Sequence, residues 1–262
     1  MTEFVALSKA GHSGFGYAPD KPFSFAGNWS FIALSQAELG SVLPLYPICF
    51  QKNENGIQIG MPTGLGGVNC LVHPQNGRFL LPYAPAILRK YPYDLIKPAD
   101  GEPVLCAFAA EKGFAKGRGE AIIDDENELT EKGKALLRFL QNLNASFEQT
   151  TKACSQLAAF GLLVPLLFQY KDPQNGELKT AREDLFRVDE HKLNRLDAEQ
   201  LQTLMSVGAM SLIYAHLFSL QHLRRVSEAT QNFAKLKQQR ATRIENLDAF
   251  FGEEASDVLK FE

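Results

Sequence analysis

The stretch SLIYAHLFSLQHLRRV, residues 211–226, holds the side chains best suited to acid–base chemistry in this chain. His216 sits in its middle, two positions after Tyr214. Histidine is the side chain whose ordinary pKa, about 6.5, lets it give and take protons near neutrality. His216 and Tyr214 are therefore the catalytic candidates, or candidates for lining a ligand pocket together with Arg89. The competing reading is a core histidine, whose two ring nitrogens must each find a partner. On a helical wheel Leu212, His216, Ser219, Leu220 and Leu223 share one side, and Tyr214 and Phe218 lie on the other. Both sides are largely apolar, which predicts a helix buried on both, with Ser219 one turn on as a partner for His216. His222 lies too far round the helix to share a metal with His216.

Two other segments carry chemistry-bearing residues. RVDEHKL, residues 187–193, gathers Asp189, Glu190 and His191, a set able to hold a divalent cation, with Asp189 and His191 as the candidate ligands. The same segment also reads as a strand end entering a helix, with Asp189 as its cap. RFLLPYAPAILRKYPYDL, residues 78–95, mixes arginine and lysine with tyrosines on a chain stiffened by prolines. Aromatic and guanidinium groups on a rigid segment gain contact area at little entropic cost. Tyr83, Arg89, Lys90, Tyr91 and Tyr93 are therefore the binding candidates; the alternative is a proline-anchored corner with half-buried tyrosines. GLGGVN, residues 64–69, lacks the Lys-Ser/Thr of a phosphate loop and reads as a turn. KLKQQRATR, residues 235–243, reads as a solvated helix face or a contact for an acidic partner. No GxSxG motif is present, and nothing places the pairs Asp124/Asp125 or Glu253/Glu254 across a cleft. No cofactor motif is found, and no cofactor is expected.

Composition bounds the rest. Of 262 residues 45% are hydrophobic and 22% charged, the balance of a globular protein, and the net charge is −3. That charge argues against a general nucleic-acid binder, which needs a basic surface to displace counterions. No run of about 20 apolar residues exists to cross a bilayer. The opening MTEFVALSKAGHSG lacks a basic region followed by an apolar run, so no Sec-type signal peptide is expected and a cytoplasmic location is. Cys49, Cys70, Cys106 and Cys154 are widely separated and apolar in context, as buried thiols of a reducing compartment would be.

The elements that must position these residues change character along the chain. NENG between YPICFQK and GIQIGMP, and PQNG between GVNCLVH and GRFLLPY, are hairpin signals, because Asn and Gly tolerate positive φ. EPVLCAFAA and EAIIDD extend the pattern to an antiparallel sheet built mainly from residues 14–125, interrupted by a helical turn or two at 84–92. Ser35 followed by Glu38 is a capping box for a short helix that Pro44 and Pro47 stop. From 129 to 161 one face recurs at steps of three and four (Leu136, Leu140, Leu143, Phe147, Thr150, Cys154, Leu157), predicting a long helix ended by Gly161. A hairpin around DPQNGE then returns to the sheet, and a second long helix is expected from Asp197 to Val226. The fold class is α+β, a mainly antiparallel sheet in the N-terminal half with two long C-terminal helices packed on it. Residues 1–226 form one domain, and 227–262 a polar, partly helical tail.

The ordered signatures YPICF, GRFLLPYAPAILRKYPYDL, FGLLVPLLFQ, FRVDEHKLNRL and SLIYAHLFSLQHL together resemble the SapC family of bacterial proteins, over about residues 5–226. The resemblance brings no catalytic residues. It implies a part in the uptake or modification of some compound, and the family's name points to bacterial surface layers. The leading expectation is a non-catalytic cytoplasmic binding or accessory protein, acting on a protein partner or a small molecule, with homo-oligomerisation left open. It predicts an accessible aromatic and basic surface around Tyr83–Tyr93. The alternatives are an enzyme or ligand sensor with a cavity at His216, and a surface-layer component.

Overall fold

The structure, a computed structural model, describes residues 4–98, 101–126, 128–171 and 178–253. In chain order its strands are β1 Phe4–Ala6, β2 Phe15–Tyr17, β3 Phe31–Ala33, β4 Cys49–Asn53, β5 Gly56–Pro62, β6 Tyr93–Ile96, β7 Val104–Phe108, β8 Phe114–Lys116, β9 Leu163–Pro165, β10 Phe168–Lys171, β11 Leu178–Arg182 and β12 Leu185–Val188. The helices are α1 Lys9–His12, α2 Leu39–Val42, α3 Ala86–Arg89, α4 Glu131–Ala159, α5 Glu190–Leu193, α6 Ala198–Ser206, α7 Ala209–Ser219 and α8 Arg224–Glu253. The fold is α+β. Strand pairing among the described residues is antiparallel, and it divides into a five-stranded sheet β3-β5-β4-β12-β9, a three-stranded sheet β1-β7-β6 and the pairs β2-β8 and β10-β11.

Helix α4 joins the sheets. Thr130 caps it, its hydroxyl accepting from Gly133 N–H at 3.0 Å. Gly161 ends it with φ +60°, a left-handed conformation that glycine adopts without steric penalty. The three- and four-residue spacing read from the sequence is the buried face: Leu140, Leu143, Thr150, Cys154 and Leu157 are all buried. A helix of this length runs about 43 Å at 1.5 Å per residue. Its first half, around Leu136 and Leu140, packs on the cluster beneath β6 and β7 with Tyr93, Ala107 and Phe114. Its second half, Ala153, Cys154 and Leu157, enters the larger core between the five-stranded sheet and α7.

The NENG hairpin forms as expected, with Asn53 opposite Gly56 and Cys49 opposite Gly60. The PQNG turn also forms, Gly77 at φ +67° donating its N–H to the His73 carbonyl at 2.9 Å. Its flanks, however, meet in one bridge, Val72 opposite Phe79. The chain beyond it turns away at Pro82 and Pro85, which cannot donate to a ladder. EAIIDD is not a strand: Ile122 spends its N–H on the Phe15 carbonyl and its own carbonyl on Thr130 N–H. The turn expected at DPQNGE lies at 172–177, outside the described residues, but β10 and β11 pair on either side of it and β9 and β12 join the five-stranded sheet.

The second long helix is not continuous. Gly208 at φ +73° breaks it, and the axis bends by 90° between Ala198–Ser206 and Ala209–His222. The left-handed conformation selects glycine; a β-carbon there would stand 3.0 Å from the Gln36 side-chain amide, which would have to shift slightly. The two long C-terminal helices are thus α4 and α8. The boundary at 226 falls inside α8, where Val226 is buried and Thr230 accepts the Leu65 N–H at 3.0 Å. No single helix is long and apolar enough to cross a membrane, among the described residues.

Candidate functional site

His216 is fully buried. Its Nδ1 lies 2.7 Å from the Ile48 carbonyl oxygen, and its Nε2 accepts the Val188 N–H at 3.2 Å. The carbonyl can only accept, so the proton sits on Nδ1 and the ring is a neutral tautomer. The position of this bridge has a simple logic. Strands β4 and β12 pair Phe50 with Phe186, and the Lys52 N–H meets the Asp184 carbonyl one hydrogen-bonded pair away. Continuing that register, Val188 and Ile48 are the next hydrogen-bonded pair. The imidazole stands in the gap and relays the ladder bond from Val188 N–H to Ile48 C=O. Ser219 takes the other half: its hydroxyl accepts the Ile48 N–H at 2.8 Å and donates to the His216 carbonyl at 2.7 Å. Ser219 is thus a co-ligand of Ile48 rather than a partner of the ring. Burial, reinforced by Arg187, holds the His216 pKa down at about 4.

The opposite face of α7 departs from the expected double burial. Tyr214 is 47% and Phe218 62% exposed, and their rings stack at 6.1 Å. Tyr214 therefore points away from His216, and neither residue is in the lining of the cleft that Arg89 lines. Asp189 caps α5, accepting the Lys192 N–H at 3.2 Å, while His191 is exposed on that helix. No group of three or more His, Cys, Asp or Glu side chains is disposed to hold a metal among the described residues. The four cysteines are buried free thiols; burial pushes Cys49 and Cys154 up to about 12, which keeps them protonated.

The segment 83–93 behaves differently. Buried Glu38, the acidic member of the capping box, accepts from Ser35 N–H at 3.1 Å and Ser35 hydroxyl at 2.8 Å through one oxygen. Its other oxygen accepts the Tyr83 hydroxyl at 2.9 Å and the Ala86 N–H. A carboxylate with four donors is well compensated, and it pins the start of α3 to the capping turn. Arg89 projects from the end of α3. Its Nε donates to the Ala84 carbonyl at 3.0 Å and its Nη2 to the Tyr83 hydroxyl at 3.2 Å. The guanidinium lies 5.5 Å from the Tyr83 ring centre and 5.3 Å from that of Phe139.

Beyond Arg89 the chain makes a wall. The Tyr91–Pro92 peptide is cis, and Tyr91 and Tyr93 line clefts on both sides of it. The larger cleft, about 570 Å³, has Tyr17, Ile122, Leu136 and Phe139 as its other walls, with Arg89, Lys132 and Glu120 as its charges. The smaller, about 510 Å³, is bounded by Phe4, Phe25, Trp29 and Phe108, with the Lys90–Asp94 ion pair (2.6 Å) at its edge. Tyr91 stacks on Phe25 at 3.7 Å and donates its hydroxyl to Glu111 at 2.6 Å. Tyr93, only 7% exposed, has a hydroxyl with no hydrogen-bond partner among the described residues. Burial raises the pKa of Tyr17, Tyr91 and Tyr93 alike, with Glu111 adding to the effect at Tyr17 and Tyr91, so all three stay neutral phenols.

The structure thus brings Arg89, Tyr91 and Tyr93 together on one cleft and Lys90, Tyr91 and Tyr93 on the other, and places Tyr83 behind them in the Glu38 network. Sequence reasoning missed Tyr17, Phe25, Trp29, Phe108 and Phe139. The density of aromatics in GFGYAPDKPFSFAGNW, residues 14–29, was a signal for Tyr17, Phe25 and Trp29; Phe108 and Phe139 carried none.

An α+β scaffold with an aromatic double cleft and a sealed histidine core is the class of protein these features define. A family model described as SapC matches residues 7–226, and the chain belongs to the SapC family. No curated protein and no solved structure matches the chain.

Proposed function

We propose that this chain is a non-catalytic binding or accessory protein that works through the Tyr83–Tyr93 segment. The observation that carries the reading is the contrast in how polar atoms are used. His216 has both ring nitrogens committed to backbone groups, whereas Tyr91 and Tyr93 divide two open clefts of about 570 and 510 Å³. Concave, mainly apolar sites with a few convergent polar groups are where small molecules bind. Four buried thiols support a reducing, cytoplasmic setting for that role, which fractionation of the host cell checks.

The test is native mass spectrometry of protein purified from its own host, with pulldown of protein partners from the same lysate. Mass or a partner that is lost on Tyr91→Ala and kept by folded His216 variants supports the reading. A bare chain that retains nothing beyond what Tyr91→Ala retains overturns it.

A further inference from the structure

We infer that the larger cleft is a site for a planar organic anion, in the simplest case an aromatic carboxylate, held by Arg89. The inference rests on the binding reading above and gives it a ligand class. A guanidinium has five N–H groups, and Arg89 uses two of them, through Nε and Nη2, both directed back toward residues 83 and 84. The Nη1 end makes no hydrogen bond, and no carboxylate lies within 4 Å of the guanidinium, among the described residues. The group is nonetheless held by those two bonds, with the Tyr83 and Phe139 ring centres 5.5 and 5.3 Å from it. A positioned guanidinium with a free edge matches a carboxylate better than any other small group.

Nothing else in the lining cancels that charge. Lys132 and Glu120 stand 3.6 Å apart and offset each other at the rim. Two carboxylates stand outside the lining, Glu38 one hydrogen bond beyond Tyr83 and Glu111 one beyond Tyr91. Ser35, Tyr83 and Ala86 fill the Glu38 oxygens but leave its charge, so it offsets Arg89 only from behind the Tyr83 hydroxyl and does not reach into the cleft. The phenols of Tyr17 and Tyr91 bring no negative charge at neutral pH, for the reason given above. The walls, Tyr17, Tyr91 and Phe139, offer ring faces and edges to a flat ligand. A cation would face Arg89, and a neutral ring would leave its free edge without a counter-charge. The volume, about 570 Å³, suits a small organic molecule.

The experiment is isothermal titration of the full chain with 2-naphthoate and with its neutral isostere 2-naphthamide. Naphthoate is expected to bind about tenfold tighter or more, the scale of a charge-assisted pair. Arg89→Met should reduce that ratio to near one while Arg89→Lys keeps part of it. Ala135→Phe, at an exposed lining position on α4, should fill the cleft and weaken both ligands without touching the Arg89 network. If Arg89→Met fails to fold, the Ala135→Phe result decides. Equal affinity for the two ligands, a preference that survives Arg89→Met, binding unaffected by Ala135→Phe, or no binding of naphthoate overturns the inference. Each of these leaves the broader reading to its own test, because a host ligand or partner lost with Tyr91→Ala would still support binding through the smaller cleft or the outer surface.

Discussion

Two aromatic-rich regions of this molecule, the α7 core around His216 and the cleft wall around Tyr91, use polar groups in opposite ways. In the core, every polar atom of His216 and Ser219 described above is spent on the backbone of Ile48, Val188 or α7 itself, and the one shortfall nearby, the Tyr46 hydroxyl without a partner among the described residues, is buried in packed side chains. At the wall, among the described residues, Arg89 has an unpartnered edge and Tyr93 a hydroxyl with no partner. Completion of hydrogen bonding marks a structural site, and a positioned shortfall beside an open volume marks a place for something else. A histidine on an apolar helix is therefore weak grounds for catalysis until its partners are known.

The sharpest way to break the comparison is His216→Leu. It leaves the Val188 N–H unpaired in the core and the Ile48 C=O with only the Ser219 hydroxyl, at 3.4 Å. At about 1–3 kcal/mol for the buried orphan and about 1 for the lost bond to the carbonyl, the expected loss is about 3 to 4 kcal/mol, read by urea unfolding. Ligand affinity of the folded fraction should not change; a normal melt with lost binding would move His216 to the functional side. Next in size is the pH response. The folded pKa of His216, about 4, lies below its ordinary 6.5, so between those values the unfolded chain binds the extra proton. Stability is then complete above pH 6.5 and falls as pH drops toward 4, by about 3 kcal/mol over the window. Subtracting the pH–stability curve of His216→Gln isolates this contribution, and identical slopes for the two proteins would refute it.

Smaller effects sharpen the other half. Tyr91→Phe removes the hydroxyl that donates to Glu111 and should cost about 1 kcal/mol. Tyr93→Phe removes a buried hydroxyl that has no partner among the described residues, so the apo protein should be unchanged or more stable by up to about 1 kcal/mol. A clear loss of stability there would mean that the hydroxyl is already satisfied.

The parts of the fold that were legible in sequence were those fixed by local chemistry. The α4 stripe, the Ser35/Glu38 box and the NENG turn each depend on residues within one or two turns of one another. What local chemistry could not show were choices made by distant partners. PQNG formed its turn but lost its ladder to the prolines that follow, and the Asp197–Val226 pattern continued in period across Gly208 although the backbone bends there. The site followed the same rule. Tyr91 and Tyr93 were visible as rigid aromatics, but Tyr17, Trp29, Phe108 and Phe139 reach them only through folding. The partners of His216 are backbone atoms, which no residue pattern reports.

Helix α4 carries one further consequence. Leu136 and Phe139 wall the larger cleft, and Cys154 and Leu157, farther along the same unbroken rod, sit in the core that His216 seals. The rod has no interior residue that breaks it, so cleft and core share one mechanical element and should melt together. Filling the cleft then adds its binding free energy, RT ln(1 + [L]/Kd), to the unfolding of the whole body. The midpoint of a single thermal transition becomes a thermometer for occupancy at a surface some tens of ångströms from the residues whose packing it reports.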